Sequence, residues 1–266
     1  MQIFKVIFLS VIGMFIIVVT AYLVSWKRPE YFLNVEENTN PNNFVNTSIQ
    51  SDPYYRERDN LIVFNSADTR NPEDLPVKQL EEKWNSLKPD IVLIEGTLGF
   101  FIPGLMNPVK KFGISGMAYQ LAAENNIKVY TYALPVEKII EKLLKKFPPE
   151  QIAVSLALHS YNENAKYVKS NSNDEFIREY ISKLRYSDIY VNVKSARDID
   201  RIWERDFSKM KSWRSMETLP GYIGDIAREI NTIKKKHLLC LIDHFTGLNK
   251  KVLVVNNSDS LLAMKN

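Results

Sequence analysis

The sequence predicts an α/β fold, with a central and mostly parallel sheet flanked by helices, preceded by one N-terminal transmembrane helix. From residue 61 to residue 255, short apolar runs alternate with longer amphipathic ones. Such alternation is typical of a parallel sheet covered by helices on both faces. Ahead of it, residues 6–25 contain no charged side chain, and an apolar helix of about 20 residues is long enough to span a bilayer.

Residues 1–28 are therefore predicted to be a single-pass membrane anchor, with residues 6–25 in contact with lipid. Tyr22 and Trp26 lie where interfacial aromatic residues are expected. A cleaved signal peptide is the alternative, but its apolar core is usually only about 7–15 residues long and is followed by small residues. Basic residues flank the segment on both sides, so the side of the membrane on which the chain lies stays undecided.

Residues 29–60 are rich in Asn, Glu, Ser and Pro, which predicts a tether or irregular lead-in. Residues 61–266 are predicted to form a single α/β domain. A long loop is expected over 99–116, where it would cover a binding pocket. The predicted strands are 61–64, 91–94, 127–132 and 252–255, and the predicted helices are 77–87, 116–125, 136–146, 149–159 and 223–236, the last continuing into 238–242.

Composition and motifs exclude or disfavour several classes of function. The one cysteine, Cys240, rules out an intramolecular disulfide and a cysteine-based zinc site. The net charge is only +4, and the short lysine runs are scattered among acidic residues, so nucleic acid is not an expected partner. The chain has no Gly-rich phosphate loop, no Gly-x-Ser-x-Gly and no His-Glu-x-x-His, which disfavours nucleotide-dependent enzymes, serine hydrolases and zincin proteases.

Three carboxylates follow predicted strands. Asp68, Glu95 and Asp259 come shortly after the first, second and last strand. Ligands of open α/β sheets bind beyond the carboxyl ends of the strands. The sequence therefore predicts that these carboxylates converge at one edge of the sheet.

Segment 88–96, which reads Lys-Pro-Asp-Ile-Val-Leu-Ile-Glu-Gly, resembles a segment of the superfamily containing TraB, Tiki, ChaN haem-uptake and erythromycin-esterase-like proteins. In that superfamily an early strand ends in Gly-x-x-His, Glu-Gly follows the next strand, and a second Gly-x-x-His follows a late strand. The order of elements in this chain is similar from residue 61 to residue 259. Further similar positions are 68–70, 203–207, 219–224 and His237.

Both Gly-x-x-His motifs are replaced. The chain has Asn65-Ser-Ala-Asp68 and Asn256-Asn-Ser-Asp259 at those positions. Asn tolerates the left-handed backbone that Gly would supply, so the turns are expected to be preserved. Aspartate, however, is neither the usual zinc ligand nor a general base near neutral pH.

Since members of the superfamily include hydrolases, the resemblance leads to two hypotheses, and loss of catalysis is favoured. In the first, the chain is a pseudoenzyme that acts as a membrane-anchored binding module for a small molecule or a protein. In the second, it is a hydrolase in which Asp68, Glu95 and Asp259 hold a hard divalent cation, Mg²⁺, Ca²⁺ or Mn²⁺ rather than zinc, with Glu95 and Asp68 as catalytic candidates.

Additional pocket candidates are Arg70, Arg205, Lys234 and His237. The first three could neutralise the carboxylates in place of a cation. A third hypothesis is an anchored interaction protein without a pocket, which would apply if the three carboxylates are far apart.

Overall fold

The computed structural model describes residues 2–25, 33, 35, 55–66, 69–96, 98, 99, 101, 105–164, 175, 177, 178, 181, 193–215 and 220–256. The chain begins with helix α1, Gln2–Ser25, in which side chains such as Ile7, Met14 and Ile17 are exposed. Within the described part of the chain, no helix combines the length and the apolar character that crossing a membrane requires.

The remaining elements alternate as the sequence predicts. The strands are β1 (Tyr55–Arg58), β2 (Leu61–Asn65), β3 (Ile91–Ile94), β4 (Lys128–Thr131) and β5 (Val252–Asn256). The helices are α2 (Leu75–Leu87), α3 (Pro108–Glu124), α4 (Val136–Leu143), α5 (Pro149–Asn164), α6 (Ala196–Asp206) and α7 (Gly221–Gly247). This confirms the α/β class.

The strands form one sheet in the order β1-β2-β5-β3-β4. Strands β2, β5, β3 and β4 are parallel, and β1 pairs with β2 in the antiparallel direction at the edge. Strand β5, the last strand in the described part of the chain, is therefore inserted between β2 and β3. The carboxyl ends of the four parallel strands meet at a single edge of the sheet, here called the carboxyl edge.

Side chains on the two faces of the sheet alternate with a period of two, because successive residues of a strand point to opposite sides. Ile62, Val92 and Leu253 pack with α2 and α3 on one face. Val63, Leu93 and Val254 pack on the other face with the last part of α7, through Leu238 and Leu241 among others. With both faces covered, the strands are continuous apolar runs rather than alternating ones.

The described residues fall into two compact units. The sheet unit comprises residues 1–133 and 235–266, and the helical unit comprises residues 134–234. The core of the helical unit is built from α4, α5, α6 and the first part of α7, with Leu143, Ile199 and Trp213 buried in it. A single domain over residues 61–266 stays a prediction.

Two local predictions are wrong. Much of the expected loop 99–116 is helix, since α3 begins at Pro108. Asn107 caps it by accepting a hydrogen bond from the Lys110 amide, while Gly113 (φ 65°) kinks the helix instead of marking a loop. In addition, the end of the segment predicted as a tether forms strand β1.

Candidate functional site at the carboxyl edge

A row of polar residues crosses the sheet where the apolar strand positions end. Asn65 of β2 is paired in register with Asn256 of β5. Ile94 of β3 is paired with Val255 on one side and Thr131 on the other, so the next row contains Asn256, Glu95 and Tyr132. Asn65, Asn256, Glu95 and Tyr132 therefore lie side by side across all four parallel strands. These four residues are called the polar row below.

Three side chains of the polar row, those of Tyr132, Asn256 and Asn65, form a directional chain of hydrogen bonds. The Tyr132 hydroxyl donates to Asn256 Oδ1 at 3.4 Å and lies at the same distance from the Val255 carbonyl oxygen. Asn256 Nδ2 in turn donates to Asn65 Oδ1 at 3.2 Å. Asn256 and Tyr132 are each only 1% exposed, and buried amides that hydrogen-bond in this way have fixed orientations.

Glu95 is half-buried and lies beside the Tyr132 phenol in the row. Burial raises the pKa of Tyr132 well above its usual range, and the negative charge of Glu95 raises it further. The phenol is therefore protonated at neutral pH and is held as a hydrogen-bond donor. Gly96 directly after Glu95 has φ +78°, a conformation that L-residues avoid, which accounts for the Glu-Gly pair at the strand end.

The polar row lies at a topological switch point. After β3 the chain continues into α3, which packs on one face of the sheet. After β4 the chain leaves the sheet unit, and it returns in the last part of α7, which packs on the opposite face. Connections that diverge in this way leave a crevice beyond the strand ends, where ligands of α/β proteins bind. Glu95, directly after β3, and Tyr132, directly after β4, flank this switch point.

His237 belongs to the same end of the sheet unit. From His237 to Gly247, α7 rises about 15 Å at 1.5 Å per residue, and β5 rises about 13 Å from Val252 to Asn256. Because a short turn joins α7 to β5, His237 is placed near the level of the polar row. It is buried, at 7% exposure, next to Leu238, which packs in one cluster with Tyr132. The sequence analysis named His237 as a pocket residue, and that role stays a prediction.

The predicted left-handed turns at the two asparagines are not found. Asn65 and Asn256 are the final residues of β2 and β5, and neither is among the non-glycine residues with positive φ. Their backbones are extended because both take part in the parallel ladder. The structure instead gives their side chains a role that the sequence did not suggest, since the amides connect two strands far apart in the chain.

The other predicted site residues have different positions. Arg70 follows β2 in the sheet unit, is exposed, and donates from its guanidinium to the Lys111 carbonyl oxygen. Arg205 lies in the helical unit, where it donates to Asp206 at 2.7 Å and to Glu150 at 2.6 Å; these two hydrogen bonds raise its pKa. Lys234 is half-buried in the first part of α7, also in the helical unit.

Two members of the predicted cation site, Asp68 and Asp259, lie outside the described residues. Within the described ranges, no group of three or more His, Cys, Asp or Glu side chains could hold a metal ion. The convergence of Asp68, Glu95 and Asp259 stays a prediction. Tyr132 was not predicted as a site residue from the sequence, although its position at the end of a predicted strand could have indicated it.

Comparisons with known proteins add no further constraint on the site. No family model, no curated protein and no solved structure matches this chain.

Proposed function

We propose that this chain is a membrane-anchored binding protein whose ligand site is the polar row at the carboxyl edge of the sheet. The observation that carries the proposal is the hydrogen-bonded chain from Tyr132 through Asn256 to Asn65. Amides and a protonated phenol donate and accept hydrogen bonds, but they do not exchange protons near neutral pH. These three side chains are suited to recognising a polar group, and the Glu95 carboxylate is the one member of the row with acid–base chemistry.

As part of this proposal, the chain is a divergent relative of the TraB, Tiki and erythromycin-esterase-like superfamily, which its sequence resembles. The superfamily pattern places its two motifs after an early and a late strand, and here Asn65 and Asn256, which begin the replaced motifs, are direct partners on adjacent strands. That pairing supports a common architecture in which the histidine chemistry has been lost and the site geometry is used for binding.

The same pairing favours one second candidate, a hydrolase with a carboxylate-bound divalent cation. Asp68 and Asp259 follow Asn65 and Asn256 at the same spacing, so the two motifs leave neighbouring strands from one row. Glu95 lies in that row beside Asn256. Oxygen ligands of this kind suit Mg²⁺, Ca²⁺ or Mn²⁺.

Anchoring by α1 is the remaining part of the proposal. We infer it from the run 6–25, which has no charged side chain and lies within the helix Gln2–Ser25. Its described apolar side chains are largely exposed, with Met14 at 71% and Ile17 at 69%. Contact with lipid would remove this surface from water.

Thermal unfolding of the full chain in detergent, with MgCl₂, CaCl₂, MnCl₂ or ZnCl₂ added, separates the two candidates. The binding proposal predicts no midpoint shift that depends on Asp68 and Asp259, and no hydrolysis of p-nitrophenyl esters. The hydrolase predicts a rise for one cation, equivalent to about 2.7 kcal/mol at a hundredfold its Kd, that the Asp68→Asn/Asp259→Asn variant loses. Ester hydrolysis that requires that cation would overturn the binding proposal.

A further inference from the structure

The carboxyl edge of the sheet unit carries an exposed apolar tip, Leu105, just ahead of α3, and the half-buried Met106 beside it packs against the core. Leu105 is 81% exposed, far more than a leucine in a packed loop. Leu75, the first residue of α2, is 58% exposed. Since α2 and α3 follow β2 and β3 and return across the sheet, their first residues lie at the same edge as the polar row.

Basic side chains surround the apolar tip. Lys111 Nζ lies 3.8 Å from the Met106 sulfur and 5.6 Å from the centre of the Phe112 ring. The Arg70 guanidinium donates to the Lys111 carbonyl oxygen, which brings the loop after β2 next to α3. Arg70, Lys110 and Lys111 are all exposed, and they are called the basic collar below.

Acidic residues do not cancel this charge. Glu73 and Asp74 are the nearby carboxylates of the loop before α2. Glu73 forms an ion pair with Lys78 at 2.8 Å, and Asp74 accepts hydrogen bonds from Thr69 and Asn71. With Lys78 added to the basic collar and Glu95 of the polar row counted with the acidic side chains, four cations face three carboxylates among the described residues of this edge, so their net charge is positive.

The segment after α1 holds the sheet unit close to the anchor. Leu33 and Val35 pack against the core cluster that contains Tyr132 and Leu238. From Ser25, where α1 ends, to Leu33 the chain reaches at most about 29 Å when fully extended. A surface of the sheet unit is therefore within a short distance of the end of α1.

We propose that the carboxyl edge docks on an anionic lipid bilayer, with the apolar tip in the headgroup region and the basic collar on lipid phosphates. An apolar tip with cationic neighbours is the combination by which peripheral segments bind anionic membranes. The polar row then opens at the bilayer surface, where a ligand arrives from the membrane. The inference rests on the proposed anchoring by α1, which the experiment below checks separately.

The test uses the full chain in vesicles of phosphatidylcholine, with or without phosphatidylglycerol. An environment-sensitive NBD label is attached to Leu105→Cys, and quenching by doxyl-labelled lipids is measured. Cys240 is only 1% exposed and should remain unlabelled. Leu248→Cys is the matched control, because Leu248 is 60% exposed and precedes Lys250 and Lys251, yet lies in the turn at the opposite edge of the sheet.

We expect strong quenching at Leu105 in vesicles with phosphatidylglycerol, weaker quenching without it, and none at Leu248 in either. Lys110→Gln/Lys111→Gln should lower the insertion equilibrium about fivefold for each lysine, or about 1 kcal/mol each. Equal quenching at Leu105 and Leu248, or no dependence on phosphatidylglycerol, would overturn the docking. A label at Ile12→Cys reports the anchor independently, so quenching at Ile12 without quenching at Leu105 refutes the docking and leaves the anchor standing.

Discussion

The two units of the chain hold their polar side chains in different ways. In the sheet unit, Asn256 and Tyr132 are buried and hydrogen-bonded to each other at the strand ends. In the helical unit, charged side chains such as Arg205 form ion pairs on the surface, where Arg205 is 57% exposed. Buried polar groups cost stability unless they are satisfied, whereas exposed ion pairs cost and contribute little. The buried, hydrogen-bonded row is the reason for placing the proposed recognition site in the sheet unit.

The largest effect is expected from Asn256→Ala. The substitution removes the acceptor of the Tyr132 hydroxyl and the donor to Asn65 inside a buried row, and leaving buried groups without partners costs about 1–3 kcal/mol. We therefore expect the free energy of unfolding to fall by about 2 kcal/mol in urea titrations of the full chain in detergent. Asn231→Ala on the exposed side of α7 in the helical unit is the matched control and should change it by less than about 0.5 kcal/mol. Equal losses of unfolding free energy for both variants would contradict the difference between the two units.

Tyr132→Phe should have the next largest effect, with a distinctive pH dependence. Near pH 7 the lost hydrogen bond should lower the free energy of unfolding by about 1 kcal/mol. The folded-state pKa of Tyr132 is raised, so the stability contributed by the protonated phenol is present below the usual pKa and is lost as the pH rises through the folded-state value. Above about pH 10 the wild-type chain should lose up to about 1.4 kcal/mol per pH unit that the variant does not lose. Parallel pH profiles of the two proteins would contradict this assignment.

The smallest effect is expected from Arg205→Ala in the helical unit. Its partners Glu150 and Asp206 are both partly exposed to solvent, so screening by water leaves about 0.5 kcal/mol or less. Urea titrations at low and high salt should show little difference between the wild-type and variant chains. A loss above about 1.5 kcal/mol would mean that this surface network has a structural role comparable to that of the polar row.

The sequence was sufficient to predict the strands and helices that a local pattern of residues indicates. The apolar runs at 61–64, 91–94 and 252–255 became strands because each is buried on both faces of the sheet. Strand β1 was missed because its sequence, Tyr-Arg-Glu-Arg, lacks an apolar run, as edge strands often do. The start of α3 was missed although Asn107 followed by Pro108 is a typical N-cap and N1 pair, because Gly113 was interpreted as part of a loop.

The candidate site was less predictable because it depends on strand order and register. Glu95 could be selected from its place after a buried strand, and His237 from the family resemblance. The hydrogen bond between Asn65 and Asn256 joins positions 191 residues apart, and no local pattern reveals that β5 inserts between β2 and β3. Tyr132 became a candidate only once its strand was known to lie next to that of Glu95.

The central claim is that Glu95, the charged member of the polar row, is kept for a ligand rather than for stability, and Glu95→Gln tests it most directly. Glutamine keeps the shape of the side chain and removes a half-buried charge, which is costly to desolvate. Residues retained for function are commonly suboptimal for stability. The measurement is the free energy of unfolding of the full chain in urea at pH 7, beside the wild type. An increase of about 0.5–2 kcal/mol is the result that we predict, and a decrease of 1 kcal/mol or more would show that Glu95 is structural, which contradicts the proposed site.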